Sequence, residues 1–158
     1  MARRREFTPR EPKEYEERVI QIKRVSKKTK GGNKIRFTAL VVLGNRKGKV
    51  GAALGKAPNV ASAIQKALTK AKDNIVEVNL NGVTVPHEIV KKLKGAQILM
   101  KPAPRGSGII AGGTVRDVLE LSGVKDASAK MLGSNNKNNN VQCAIAALSA
   151  MKHVEKKK

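Results

Sequence analysis

The sequence predicts an α+β protein of two small units, and three observations carry that prediction. Short β-branched runs separated by glycine-containing turns occur between residues 19 and 55 and again between 75 and 101. Each set of strands is followed by apolar residues at helical spacing, after Pro58 and again after Asn140. The chain has 158 residues, of which 40% are apolar. That length suits one ordinary domain or two small ones, and that apolar content excludes wholesale disorder.

Each element has its own signal. Residues 1–17 mix both charges with Pro9 and Pro12 and show little apolar periodicity, so a mobile tail is expected. Residues 19–25 (Val-Ile-Gln-Ile-Lys-Arg-Val) read as a strand, and residues 27–34 as an exposed, flexible hairpin loop around Gly31-Gly32. Residues 36–43 form a second strand, apolar enough to lie centrally, and residues 49–55 a third after the turn at 44–48. Pro58 opens a helix with Val60, Ile64 and Leu68, joined by Ala61, Ala67 and Ala71, on its inner face. A three-stranded antiparallel sheet backed by one helix is therefore expected over residues 18–74.

The second unit is expected over residues 75–151. Residues 75–80, 87–93 and 97–101 read as strands, with a turn at Asn81-Gly82. A glycine-rich loop at 106–113 leads to a short helix over 114–122, which Gly123 terminates. A further strand fits 124–130, and Asn140 is positioned to cap a helix over 141–151. Residues 152–158 are a basic tail.

Charge points to the partner. Lys and Arg number 33 against 12 Asp and Glu, a formal net charge of +21. Residues 18–72 hold fifteen of the cations and no acid at all, so +15 sits in 55 residues. A surface built only for solubility intersperses both signs. Excluding acids across a folded segment marks a phosphate-binding face. Only three aromatic residues occur, Phe7, Tyr15 and Phe37. RNA is then read by backbone and shape, with little base stacking.

Other classes fall away on the same residues. No apolar run is long enough to span a bilayer, and no apolar segment follows the Arg-rich start as a secretory signal requires. Cys143, the single cysteine, excludes a disulfide framework and suggests a reducing, cytoplasmic setting. It sits among apolar residues as an inert thiol. Together with His87 and His153 it makes no zinc site, and no metal or cofactor is expected. Gly106-Ser-Gly-Ile-Ile-Ala111, with Asp126 twenty residues after Gly106, imitates a dinucleotide fingerprint. Pro102 and Pro104 interrupt the required strand entry, and the following helix is short. Two near phosphate loops, Gly44 to Lys49 and Gly51 to Lys56, are each one residue short and lack the magnesium-binding hydroxyl. Their glycines read as turn and close-packing residues. No catalytic constellation, and so no enzyme or small-molecule substrate, is expected.

The candidate RNA-binding residues are Arg18, Lys23, Arg24, Ser26, Lys27, Lys28, Thr29, Lys30, Gly31, Gly32, Asn33, Lys34, Arg36, Arg46, Lys47, Lys49 and Lys56. The lysines meet phosphates, while Ser26, Thr29 and Asn33 offer hydrogen bonds to sugar hydroxyls. A free-standing double-stranded-RNA-binding protein or RNA chaperone is the alternative that the same charge allows.

Specific runs carry a family resemblance. Arg24-Val-Ser-Lys-Lys-Thr-Lys-Gly-Gly32, Phe37-Thr-Ala-Leu-Val-Val-Leu-Gly44, Gly48-Lys-Val-Gly51 and Gly55-Lys-Ala57 resemble the first domain of the bacterial small-subunit ribosomal protein S5 family. Gly106 to Gly113 and Gly133-Ser-Asn-Asn136 resemble its second domain. Ala53 and Lys137 depart from the family pattern, where Gly and Pro are usual, without removing a cation. The resemblance implies a double-stranded-RNA-binding-like β-β-β-α domain and a second domain with a β-α-β core. It implies binding to small-subunit rRNA near the neck and the place where mRNA enters, close to the spectinomycin site. It also implies roles in assembly and translational accuracy, and ribosomal proteins S4 and S8 as neighbours. Arg105 and Arg116 are the expected S4 contact.

Overall fold

Residues 39–43 become the centre of the fold, buried on both faces at once, with Phe37 and Thr38 half-buried beside them. The computed structural model describes residues 14–152. The tails expected at 1–17 and 152–158 therefore lie largely outside the described residues. Glu16 and Glu17, assigned to the mobile tail from the sequence, already belong to the first strand.

The first sheet is built from β1 (Glu16–Thr29), β2 (Gly32–Gly44), β3 (Lys49–Ala57) and, after α1 (Val60–Asp73), β4 (Ile75–Glu77). The order is β1-β2-β3-β4 and every pairing is antiparallel. The sheet thus has four strands where three were expected. Residues 75–77, expected to open the second unit, instead close the first sheet against β3. Three residues state their strand character but not their pairing partner.

Alternation along β2 sends its side chains to two different cores. Ala39 and Val41 join Ala57, Ala63 and Ala67 under α1, with Phe37, Ile64 and Leu68 at the margin. Leu40 and Val42 join Val50 in a larger core with Val115, Val118, Leu119, Leu121 and Leu148 of the second unit. Burying each of these Leu or Val side chains is worth about 1.5–3 kcal/mol. The two units are therefore joined by a shared core rather than tethered by a linker.

The inner face of α1 is narrower than the periodicity suggested. Ala63, Ala67 and Ala71 are the buried stripe, while Val60, Ile64 and Leu68 are half-buried and Ala61 is exposed. The cause is the closeness of β3. A Cβ on Gly55 would lie 2.1 Å from the Ala63 carbonyl oxygen, and one on Gly51 would lie 2.5 Å from that of Ala71. Glycine facing alanine lets helix and sheet approach, and the larger residues flank the contact.

The second sheet comprises β5 (Ile89–Leu93), β6 (Ala96–Pro102), β7 (Ile109–Ile110) and β8 (Ala127–Met131), in the order β5-β6-β8-β7. Helix α2 (Gly113–Ser122) crosses between β7 and β8, which pair in parallel, giving a β-α-β unit. Gly123 ends α2 with φ +98°, its N–H reaching the carbonyls of Leu119 and Glu120. Helix α3 (Lys137–Ala150) starts four residues before the expected 141. Its cap is Asn136, whose side chain accepts the Asn138 N–H, and not Asn140. Asn140 lies inside the first turn and donates its amide to the Ser134 carbonyl.

Candidate nucleic-acid interface

Beyond Phe37 the first sheet loses its apolar cover and continues as two strands. Pairing between β1 and β2 runs unbroken from Gln21↔Leu40 to Thr29↔Gly32, leaving only Lys30-Gly31 as the turn. The flexible loop expected at 27–34 is thus a hydrogen-bonded ribbon. The Thr29 hydroxyl donates to the Gly32 carbonyl at 2.7 Å, and Gly32 adopts φ +116°, which favours glycine. The anchored end of the sheet propagates its register outward, so the lysines are held in rows instead of on a floppy tip.

The ribbon has two faces. On one, Lys23, Val25 and Lys27 stand opposite Thr38, Arg36 and Lys34. Lys56 joins this face from β3 beside Thr38. Val25, Lys27, Thr29, Lys34, Arg36 and Lys56 line one continuous groove with Ser26. On the other face Arg24, Ser26 and Lys28 stand opposite Phe37, Ile35 and Asn33. Lys27 directly faces Lys34, a like-charge pair that destabilises a free sheet. A phosphate backbone laid between them removes that repulsion.

The acid-free stretch divides into two groups of cations. At its base, three meet acids contributed from outside it. Arg18 reaches Asp117 at 2.5 Å and Glu120 at 2.8 Å on α2. Arg46 reaches Glu16 at 2.8 Å and Lys49 reaches Glu77 at 3.2 Å. Hydrogen bonding to Asp117, then to Glu120, raises the Arg18 pKa further. Hydrogen bonds from Arg116 and then Arg18 hold the Glu120 carboxyl below its ordinary range. Along the ribbon, Lys23, Arg24, Lys27, Lys28, Lys30, Lys34 and Arg36, with Lys56, have no acidic partner among the described residues. The field is concentrated where nothing in the described chain neutralises it.

Two expected groupings are not brought together. The turn at 45–48 lies at the far end of β2, about 40 Å from the ribbon tip at 3.3 Å per residue. That turn packs on the C-terminus of α2, where Arg46 and Gly48 donate backbone N–H groups to the carbonyls of Leu121 and Ser122. Arg46, Lys47 and Lys49 therefore do not extend the ribbon's face, and Arg18 ties the two units together. The spacing of Asp117 and Glu120, three apart on one helix face, was the available signal for that tie. On the second unit, Arg116 donates Nε to Glu120 at 2.9 Å and lines a groove with Arg46, Gly108 and Lys125. Arg105 is exposed in the turn before it.

The glycine-rich loop has a structural explanation. Asp126 is buried, and its Oδ1 accepts the N–H groups of Gly106 at 3.1 Å and Gly108 at 2.8 Å. The acid that imitates a ribose ligand pins the loop instead. The loop leads into β7 and not directly into a helix, so no phosphate cradle forms. Cys143 is fully buried, and burial pushes its thiol pKa up. His87 bonds the Glu88 carbonyl and the Lys152 N–H. Among the described residues, no cluster of His, Cys, Asp and Glu could hold a metal, and no helix is long and apolar enough to cross a membrane.

Two family profiles match this chain. Ribosomal protein S5, N-terminal domain, matches residues 15–79, and ribosomal protein S5, C-terminal domain, matches residues 91–158.

Proposed function

We propose, for a chain that belongs to the ribosomal protein S5 family and so is a non-enzymatic, rRNA-binding protein of the small ribosomal subunit, that the β1–β2 ribbon is its principal rRNA contact. One observation carries this reading: the cations between Lys23 and Arg36 stand in register on a continuously paired ribbon without acidic partners among the described residues. Lys27, Lys34, Arg36 and Lys56 contact phosphates along one groove, while Ser26 and Thr29 meet sugar hydroxyls.

On this reading the ribbon approaches the rRNA neck, near where mRNA enters and near the spectinomycin site. The protein supports subunit assembly and translational accuracy there. Arg105 and Arg116 face ribosomal protein S4, and S8 meets the second unit elsewhere.

The test is binding of the chain to small-subunit rRNA across a salt series. Changing Lys27, Lys28 and Lys30 together to Ala should flatten the slope of log K against log salt by about two to three units. The unfolding midpoint should not fall, because none of the three is buried or paired with an acid among the described residues. An unchanged slope in a folded variant would remove the ribbon from the interface.

A further inference from the structure

A second groove opens where the ribbon leaves the body of the molecule, and both units build it. Gln21, Lys23 and Thr38 line it from the sheet, Leu54 from β3, and Asn136 and Asn138 from the start of α3. Val25 lines this groove and the cationic one, so the two adjoin at that residue. No acid lines it, and the exposed Lys137 stands between its two asparagines in sequence. Leu54, the large side chain of β3 that remains 44% exposed, supplies an apolar surface beside these polar groups.

The end of α3 is not what recommends the site, since Asn136 already accepts the Asn138 N–H there. The side-chain amides of Gln21 and Asn138 are what remain. Neither is hydrogen-bonded to another described residue. Each offers a donor and an acceptor, the pairing needed to read a base edge. A-form duplex RNA hides its most informative base edges in a narrow major groove, so amides like these read a base that is unpaired.

We infer that this groove holds an unpaired nucleotide of the rRNA strand that continues from the ribbon. Lys23 meets the phosphate, Leu54 packs against the ribose or base, and Gln21 and Asn138 hydrogen-bond the base edge. The inference rests on the chain being an rRNA-binding protein. It adds base-specific reading at one position to a surface otherwise read by backbone and shape.

The test uses the full chain bound to small-subunit rRNA. Asn135→Cys carrying a tethered iron chelate, at an exposed residue next to Asn136 but outside the groove lining, is the proximity probe, since buried Cys143 does not compete for the label. It should cleave one short rRNA segment containing a nucleotide that the wild-type protein protects from base-specific methylation. Asn138→Ala and Gln21→Ala, which break no bond within the described chain, should each lose that protection. Each should weaken binding about tenfold with an unchanged salt slope, because amides carry no charge. Lys23→Ala should instead reduce the slope by about one unit. If the wild type binds and the ribbon variant weakens, but the amide variants keep affinity and protection, this inference is wrong while the ribbon reading stands. Cleavage of polypeptide alone from position 135 in assembled subunits would overturn it equally, assigning the groove to a protein neighbour. If wild-type protein fails to bind the rRNA, the broader reading fails first.

Discussion

Between Gly32 and Arg36, β2 is exposed and carries two cations; between Ala39 and Gly44 the same strand is buried on both faces and carries none. Both halves pair with β1, the exposed half without a break and the buried half with one register shift between Val19 and Gln21. The difference separates two jobs that one hairpin performs. A two-stranded ribbon alone is marginally stable in water. Here the buried half supplies the stability, through α1 on one face and the second unit on the other. The exposed half is then free to carry repelling charges such as Lys27 and Lys34, because it does not have to hold itself together.

The largest effect should come from disturbing the buried half. Gly55→Ala places a Cβ 2.1 Å from the Ala63 carbonyl oxygen and should cost about 3 kcal/mol, read as a lower urea midpoint. A neutral result would show that α1 moves away easily and that the anchor is softer than its packing.

Arg18→Ala tests the junction between the units. The side chains it involves are 37% and 27% exposed, so solvent screening limits the loss to about 1 kcal/mol at neutral pH. Its pH dependence has a definite sign. The folded-state pKa of Glu120 is depressed, so the contribution exists above the unfolded pKa and disappears as pH falls through the folded one. Stability profiles of wild type and variant should therefore separate at neutral pH and converge below the ordinary glutamate range. Curves that stay parallel into acid would rule out the ion pairs as the cause.

The smallest effect has the opposite sign. Lys27→Glu replaces a like-charge pair with an attractive one opposite Lys34 and should stabilise the free protein by about 0.5 kcal/mol. The same change should weaken rRNA binding. A variant that loses stability would mean that the ribbon carries no stored repulsion.

Sequence patterns revealed some of this organisation and concealed the rest for physical reasons. Residues 37–43 announce a central strand because a run apolar but for Thr38 needs cover on both faces. The absence of acids from 18 to 72 announces where the cations accumulate. The ribbon's pairing was hidden because Lys27 to Asn33 has little intrinsic strand preference, and the anchored end imposes it. Which cations face outward was hidden too. Arg18, Arg46 and Lys49 resemble their neighbours in sequence, yet each meets an acid that only the fold brings close. The true cap of α3 was one of several adjacent asparagines. Asn136 takes the role after the preceding loop docks on the start of β6 and the turn before it, with the Leu132 N–H donating to the Gln97 carbonyl and the Ser134 N–H to the Gly95 carbonyl.

The shared core also sets an order of events during synthesis. When translation has passed Asp73, the strands and helix needed to bury Ala39 and Val41 are all present. Leu40, Val42 and Val50 still lack their covering partners, which come from residues 115–151. The half-made protein therefore presents an apolar sheet face beside a cationic ribbon, a surface prone to clinging to neighbouring chains and RNA. A chaperone that shields this face has its substrate until α3 is made.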